Sequence, residues 1–179
     1  MKGFGMRLSD SLEKLTKESL TSLIIDLASL RKENKEWLEL KLGGNADMPK
    51  SLAYFKNKIH SSIFNGRKPN LKEARKAISD FRKILDDKES ILDLMIYYVE
   101  AGIELGMEYG DMYEQFYTSM ETMFIDVVKR LNSTKNPALE DKFKLRLKRI
   151  AENATEGWGH KDTLEDWYEM LGKEMTEYE

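Results

Sequence analysis

Apolar residues recur every three or four positions along most of the chain, and no stretch alternates strictly between apolar and polar residues. The first spacing is typical of an α-helix with one apolar face, whereas strict alternation would indicate a β-strand. Only 3 prolines and 11 glycines interrupt the 179 residues. The pattern therefore predicts an all-α protein in which eight or nine helices are joined by short loops.

Cap-type residues, with a proline close behind two of them, predict where most of these helices begin. Such signals stand at Ser9, Thr16, Asp47 with Pro49, Asn70, Asp87, Asp111, Asn136 with Pro137, and Asp162. One more helix is predicted over about 32–42. Glycine and proline predict loops at 65–69 and 157–160.

The segment over about 88–109 is predicted to be the central helix. It is apolar around most of its circumference and leaves one narrow polar stripe, formed by Asp93, Tyr97, Glu100, Glu104 and Glu108. A helix of this kind is buried among others. Gly102 and Gly106 lower helix propensity, so we expect them to let a neighbouring helix approach closely. The residues predicted to be almost fully buried are Phe81, Met95, Val99, Ile103, Phe124 and Leu147.

We expect the helices to form an irregular multi-helix bundle in a single domain over residues 1–179, with residues 1–8 disordered. The alternative is a short stack of helical hairpins of the HEAT or armadillo type, because helix starts near 47, 87 and 136 are spaced by 40 and 49 residues. No sequence motif repeats at that spacing. A stack would also leave no helix apolar on nearly every side, which favours the bundle.

Charge is unevenly distributed, although the net charge is only −3. Residues 50–85 and 127–149 carry net charges of +8 and +6, whereas residues 86–126 and 150–179 carry −10 and −7. Alternating blocks predict ion pairs between neighbouring helices. We expect at least one of Glu100, Glu104 and Glu108 to pair with a cation of another helix, with residues 50–83 as its source.

The composition excludes several chemistries. The chain has no cysteine and only two histidines, His60 and His160, so disulfides, thiolate catalysis and cysteine metal sites are absent. It contains no Glu-x-x-His, no Gly-x-x-x-x-Gly-Lys-Ser/Thr loop and no Gly-x-Ser-x-Gly elbow. We therefore predict no catalytic residue, cofactor or metal site, and favour a non-enzymatic protein.

The same sequence contains no run near the roughly 20 apolar residues of a membrane span. Its first residues lack the apolar segment of a secretory signal. A cytoplasmic protein without membrane association is expected.

Two candidate partner-binding sites remain. One is the turn that holds Trp158, His160 and Asp162. Its simplest interpretation is structural, with Asp162 capping the last helix and Trp158 packed inward, because burial of the indole stabilises the fold. Alternatively, Trp158 anchors a protein partner, or His160 and Asp162 ligate a metal or act as a base with its orienting acid.

The other candidate is the pair of basic helices over 70–85 and 137–154, where Arg75, Lys76 and Arg82 could neutralise phosphates. No nucleic-acid motif accompanies them, and the aromatic residues lie on apolar stripes and not between the cations. We therefore expect a non-catalytic protein-interaction module. A nucleic-acid-associated protein is the alternative.

Four segments resemble a small bacterial all-helical family of unknown function. They are Leu12-x-x-Leu15 continuing to Leu27, Asn34-Lys35-Glu36-Trp37-Leu38, the segment 74–81, and Gly157-Trp158-Gly159-His160-x-Asp162-x-Leu164. The Gly-Trp-Gly-x-x-Asp-x-Leu element near the C-terminus is the most specific of them. The resemblance covers most of the chain and implies helical architecture and bacterial origin, but no activity.

Overall fold

The structure, a computed structural model, describes residues 8–43, 48–66 and 68–173. These residues form nine α-helices and a 3-10 turn, with no β-strand among them. The chain divides into two compact units, residues 1–47 and 48–179, which are described separately. The all-α prediction is confirmed, and a single domain over residues 1–179 stays a prediction. The predicted disorder of residues 1–7 lies outside the described residues, and Leu8 is helical.

The first unit is built on a helical hairpin. The described part of α1 covers residues 8–12, and it is followed by α2 (Lys17–Leu30) and α3 (Lys32–Gly43), which pack on each other. Thr16 caps α2 as predicted, since its hydroxyl accepts a hydrogen bond from the Ser19 amide. No described residue of α2 or α3 is buried.

The second unit is an irregular bundle, as predicted. Its helices are α4 (Met48–Ile63), α5 (Leu71–Ile84), α6 (Lys88–Tyr109), α7 (Glu114–Thr134), α8 (Pro137–Asn153) and α9 (His160–Glu169). Helix α6 contacts α4, α5, α7 and α8, while α9 packs on α7 and α8. None of the described helices is long and apolar enough to cross a lipid bilayer.

Helix α6 is the central helix of this unit. All six residues predicted to be buried are buried: Phe81, Met95, Val99, Ile103, Phe124 and Leu147. The close approach at Gly102 is also confirmed, because a Cβ there would overlap the side chain of Met120 on α7. Gly106 is less constrained, since its Cβ would lie 3.7 Å from the methyl group of Thr155.

In the second unit, three further predicted caps are confirmed. The side chains of Asn70, Asp87 and Asn136 accept hydrogen bonds from the amides three residues later. Such bonds satisfy donors that the first helical turn leaves unpaired. The predicted cap Asp47 lies outside the described residues.

Three other predicted caps are wrong. Leu8 is already helical, so Ser9 lies within α1 and does not cap it. Helix α7 begins after Tyr113, which makes no side-chain cap bond, and Asp111 instead accepts a hydrogen bond from the hydroxyl of Tyr117. Helix α9 begins at His160 with Gly159 as its N-cap, so Asp162 lies within the first turn. The carboxylate of Asp111 is thus held by a residue inside α7, and the Gly159 turn supplies the N-cap of α9, so neither aspartate is the N-cap residue.

An ion-pair cluster joins α6 to its neighbours. Arg146 of α8 contacts both Asp93 and Glu100, with its Nε 2.7 Å from Glu100 Oε1, and Lys56 of α4 lies 2.8 Å from Asp93. Lys142 of α8 pairs with Glu89. The predicted pairing of the glutamate stripe is confirmed for Glu100, but its cation comes from α8 and not from residues 50–83.

The cations and carboxylates of this cluster stabilise one another's charged forms. Burial alone would raise the pKa of Asp93, but hydrogen bonds from Lys56 and Arg146 outweigh burial, and the pKa is lowered. The carboxylates of Asp93 and Glu100 in turn raise the pKa of Arg146 against the effect of burial. The acidic face of α6 therefore serves to hold the basic helix α8 in place.

Candidate functional site

The most unusual backbone in the second unit lies between α8 and α9. Here Gly157–Gly159 forms a 3-10 turn in which Trp158 has φ 58° and ψ 25°. Its side chain is 69% exposed, so the prediction that Trp158 packs inward is wrong. Only two non-glycine residues among those described have a positive φ, Trp158 and Lys135. A left-handed conformation costs a residue with a Cβ about 1–2 kcal/mol.

The turn is held from beneath by the hydroxyl of Tyr117, a buried residue of α7. That hydroxyl donates to Asp111 over 3.1 Å and accepts hydrogen bonds from the Met112 amide and from the hydroxyl of Thr155. A Cβ at Gly157 would lie 2.5 Å from the Asp111 carboxylate. The loop before α7 and the loop before α9 are therefore locked together by one hydrogen-bonded tyrosine.

His160, the first residue of α9, supports the turn from the other side. It is buried, and its Nδ1 lies 2.8 Å from Glu121 Oε1 of α7, while its ring packs 4.8 Å from that of Tyr117. Burial lowers the pKa of His160, and the hydrogen bond that its ring makes to the Glu121 carboxylate opposes this only in part. A neutral ring facing a carboxylate donates from Nδ1, which leaves Nε2 as a buried acceptor with no hydrogen-bond partner among the described residues.

Exposed apolar side chains lie at the end of α6 and in the loop that follows it, whose Asp111 lies against Gly157 of this turn. Met107 and Tyr109 end α6, and Tyr113 precedes α7; all three are exposed. Burial, and to a lesser extent Tyr98, raises the pKa of Tyr113. With Trp158 they place four large apolar side chains at one end of the bundle, a combination typical of interaction surfaces.

The same end of the bundle is acidic. No lysine or arginine occurs between Lys88 and Lys129. Glu104, Glu108 and Glu114 are exposed, and none forms an ion pair among the described residues. The carboxylates of the acidic block near Arg146 are thus paired with cations, whereas those toward the Trp158 turn have no ion-pair partner among the described residues.

The structure separates the six residues singled out from the sequence. Trp158, His160 and Asp162 share one turn, but His160 pairs with Glu121 and not with Asp162, which is exposed. Arg75, Lys76 and Arg82 lie apart from them on α5.

The three basic residues of α5 differ in the contacts that their side chains make. Arg75 donates to the hydroxyl and the carbonyl of Ser119 and lies over the Tyr98 ring. Lys76 is exposed and lies 3.6 Å from Glu73. Arg82 is exposed.

Glu121, Tyr117 and Asp111 complete the site, and sequence analysis did not find them. Glu121 stands 39 residues before His160 in the middle of α7, where glutamate is an ordinary exposed helix residue. No local spacing links these positions, so only the packing of α9 on α7 brings them together. Among the described residues, no three potential metal ligands cluster.

The fold and this site define an all-α protein whose second unit is a helical bundle with an exposed aromatic turn. Within that class, the chain belongs to DUF6155, a family of unknown function, whose model matches residues 6–172. The resemblance noted from the sequence is confirmed to that extent. Comparison with curated proteins and with solved structures gave no significant match.

Proposed function

We propose that this chain is a non-catalytic protein-interaction module of the bacterial cytoplasm and that Trp158 anchors its partner. The observation that carries this function is the combination of 69% exposure with a left-handed backbone at a single tryptophan. Neither property stabilises the isolated chain. Strain of this kind persists where surrounding structure enforces it, which is common at functional sites.

The support beneath the turn is what an anchor requires. Tyr117 and His160 are fixed by hydrogen bonds to Asp111 and Glu121, so the backbone that carries the indole is set before any partner arrives. A preorganised aromatic side chain loses little conformational freedom on binding and presents a large contact area. Tryptophan is accordingly enriched among residues that dominate binding energy.

The charge around the turn indicates the partner's chemistry. Glu104, Glu108 and Glu114 have no cation of their own among the described residues, and Lys161 is the nearest cation in sequence to Trp158. A protein segment with lysine or arginine beside an apolar side chain would complement both the carboxylates and the indole. Complementary charge chiefly raises the association rate and the specificity.

The nucleic-acid alternative receives less support. Arg146 and Lys142 of α8 are committed to carboxylates of α6, and Arg75 of α5 is committed to Ser119. Binding a phosphate backbone requires several cations that are free to release their counterions. The exposed cations of the two basic helices that have no ion pair among the described residues, Lys72 and Arg82 of α5 and Lys144 and Arg149 of α8, are divided between the two.

Affinity capture from the native host tests this function, with the lysate divided into a nuclease-treated and an untreated half. We expect a protein to be recovered by the wild type in both halves and lost with Trp158→Gly, which removes the indole and suits the left-handed backbone. Leu145→Ala is the matched control, because Leu145 is 57% exposed on α8. That variant should recover the same protein.

Charge reversal refines the same experiment. Glu108→Lys should weaken recovery, most strongly at low salt, because exposed charges are screened as ionic strength rises. Recovery that is unchanged by Trp158→Gly contradicts the anchor, and recovery that disappears with nuclease favours the nucleic-acid alternative.

A further inference from the structure

An open cavity of about 310 Å³ lies in the second unit where α5 ends, α6 begins and α7 ends. Among the described residues that line it are three cations, Arg82, Lys88 and Arg130, and one carboxylate, that of Asp86. Arg82 stands in the last turn of α5, Lys88 is the first residue of α6, and Arg130 lies near the end of α7. Sites for small molecules have volumes from roughly 300 Å³ upward, so this cavity is large enough for a small ligand.

The carboxylate on the wall does not neutralise these cations. Asp86 forms no ion pair within the described part of the chain, and neither do the exposed side chains of Arg82 and Lys88. Arg130 is held only at Nε, which lies 3.1 Å from Asp126 Oδ2 without hydrogen-bond geometry. Neither of its Nη groups donates a hydrogen bond to a described residue. The four charged residues on the wall therefore give the cavity a net charge of +2.

The end of α7 does not consume this positive charge. The last carbonyls of a helix lack partners within the helix and attract cations. Here the hydroxyls of Ser133 and Thr134, which also line the cavity, donate to the carbonyls of Arg130 and Leu131. Two carbonyls of the last turns are thus satisfied without a cation, and the guanidinium of Arg130 remains available to an anion.

We propose that this cavity binds the phosphate group of a small molecule through Arg82, Lys88 and Arg130. A guanidinium presents parallel N–H donors that match two oxygens of a phosphate, and an ammonium adds a compact positive charge. A phosphate monoester carries a charge of about −1.5 to −2 near neutral pH, which suits a wall of charge +2 better than a single carboxylate does. The site shares no residue with the Trp158 turn, so either can fail without the other.

Asp86 makes the proposal sharper, because its carboxylate lies on the same wall and repels an anion. Asp86→Asn removes that repulsion and leaves all three cations in place, so the affinity for phosphate should rise. An unchanged or lower affinity in this variant would mean that phosphate does not enter the cavity.

Isothermal titration calorimetry of the full chain with inorganic phosphate, at constant ionic strength, tests the site. We expect saturable binding that weakens about tenfold in Arg82→Gln and in Arg130→Gln, since a hydrogen bond between charged groups contributes about that factor. Arg149→Gln is the matched control, because Arg149 of α8 is exposed, forms no ion pair among the described residues and does not line the cavity. The absence of saturable binding would overturn the site. Equal weakening in Arg82→Gln and Arg149→Gln would do so too, because phosphate would then respond only to the total positive charge.

Two further titrations identify the source of the phosphate group. Glycerol phosphate that binds more tightly than inorganic phosphate would assign the cavity to a phosphate monoester, and equal or weaker binding would assign it to free phosphate. Short duplex DNA, added at the same ionic strength, should not displace the bound phosphate. Displacement would mean that the three cations serve a nucleic-acid surface, which would overturn a small-molecule site.

Discussion

Residues 48–173 bury a core around α6, whereas α2 and α3 of the first unit bury no described residue. Both regions show the helical apolar pattern: α2 carries leucine at three- and four-residue steps, and α5 does the same with Leu71, Ala74, Ile78 and Phe81. The stripe of α5 is largely buried and that of α2 is exposed. The contrast teaches that an amphipathic pattern predicts a helix and a face, but not what covers the face.

The physical reason is the number of helices that pack around each apolar stripe. A stripe is buried only when neighbours cover its whole width, and α6 has four helices around it. The hairpin offers α2 a single neighbour of 12 residues. Most helical stability in proteins comes from packing of the apolar face and not from helix propensity, so the two units should respond very differently to mutation.

The largest expected difference is in truncation of leucines. Leu147→Ala removes a fully buried side chain and should lower the free energy of unfolding by about 2–5 kcal/mol. Leu145→Ala, two residues away on the exposed face of the same helix, should change it by less than about 0.5 kcal/mol. Urea denaturation of the second unit measures both.

Leu27→Ala is the corresponding leucine truncation in the first unit. It should resemble Leu145→Ala. If it instead costs as much as Leu147→Ala, the face of α2 is covered within one chain and the contrast between the units fails.

A close helix contact offers the next largest effect. Gly102→Ala sets a methyl group against the buried side chain of Met120, and overpacking of this kind costs about 1–3 kcal/mol. Gly106→Ala is the control in the same helix, where the nearest atom is at ordinary contact distance. It should stabilise the protein by about 0.5–1 kcal/mol, because alanine suits a helix better than glycine. Equal effects of the two variants on the melting temperature would contradict the close approach of α7.

The sequence predicted the elements of the fold well because each depends on local signals. Helix periodicity, the caps at Asn70 and Asp87, and the burial of α6 follow from the spacing of apolar residues and from side chains that reach their own helix. Asp111 and Asp162 failed as caps because Asp111 accepts a hydrogen bond from Tyr117 and because the turn at Gly159 starts α9 before Asp162.

The site was predictable only in part. The Gly-Trp-Gly element drew attention to the turn, but the direction of Trp158 depends on Tyr117 and Asp111, which fill the space beneath it. The partner of His160 comes from the middle of α7, so no spacing within the sequence could reveal it. Ion pairing of Glu100 followed from the charge blocks, although the choice of Arg146 required the packing of α8 on α6.

The buried histidine gives the second unit a pH dependence that the exposed hairpin lacks. Since folding lowers the pKa of His160, the neutral form is favoured in the native state. Its contribution is fully present above the ordinary value of 6.5 and is lost as the pH falls through the lower folded value. The free energy of unfolding should therefore decrease on acidification below about pH 6.5.

Substitution of each histidine isolates this contribution. His160→Gln should flatten the pH dependence in this range, whereas His60→Gln, at the exposed histidine of α4, serves as the matched control and should not. Chemical denaturation from pH 5 to 8 makes the measurement, a range in which histidine is the side chain that ordinarily titrates. An identical slope in both variants would mean that His160 is not held neutral by burial.

At Trp158 the second unit resembles the first, because a large apolar side chain is exposed to solvent and contributes little to stability. Trp158→Ala should change the free energy of unfolding by less than about 0.5 kcal/mol, since it keeps the left-handed backbone and removes an exposed indole. Trp158→Gly should be more stable than the alanine variant by about 0.5–1 kcal/mol, because relief of about 1–2 kcal/mol of strain exceeds the entropic cost of glycine. A loss of several kcal/mol in Trp158→Ala would instead mean that the indole packs against the bundle. The turn would then be structural, and Trp158 would contribute to the packing of the second unit.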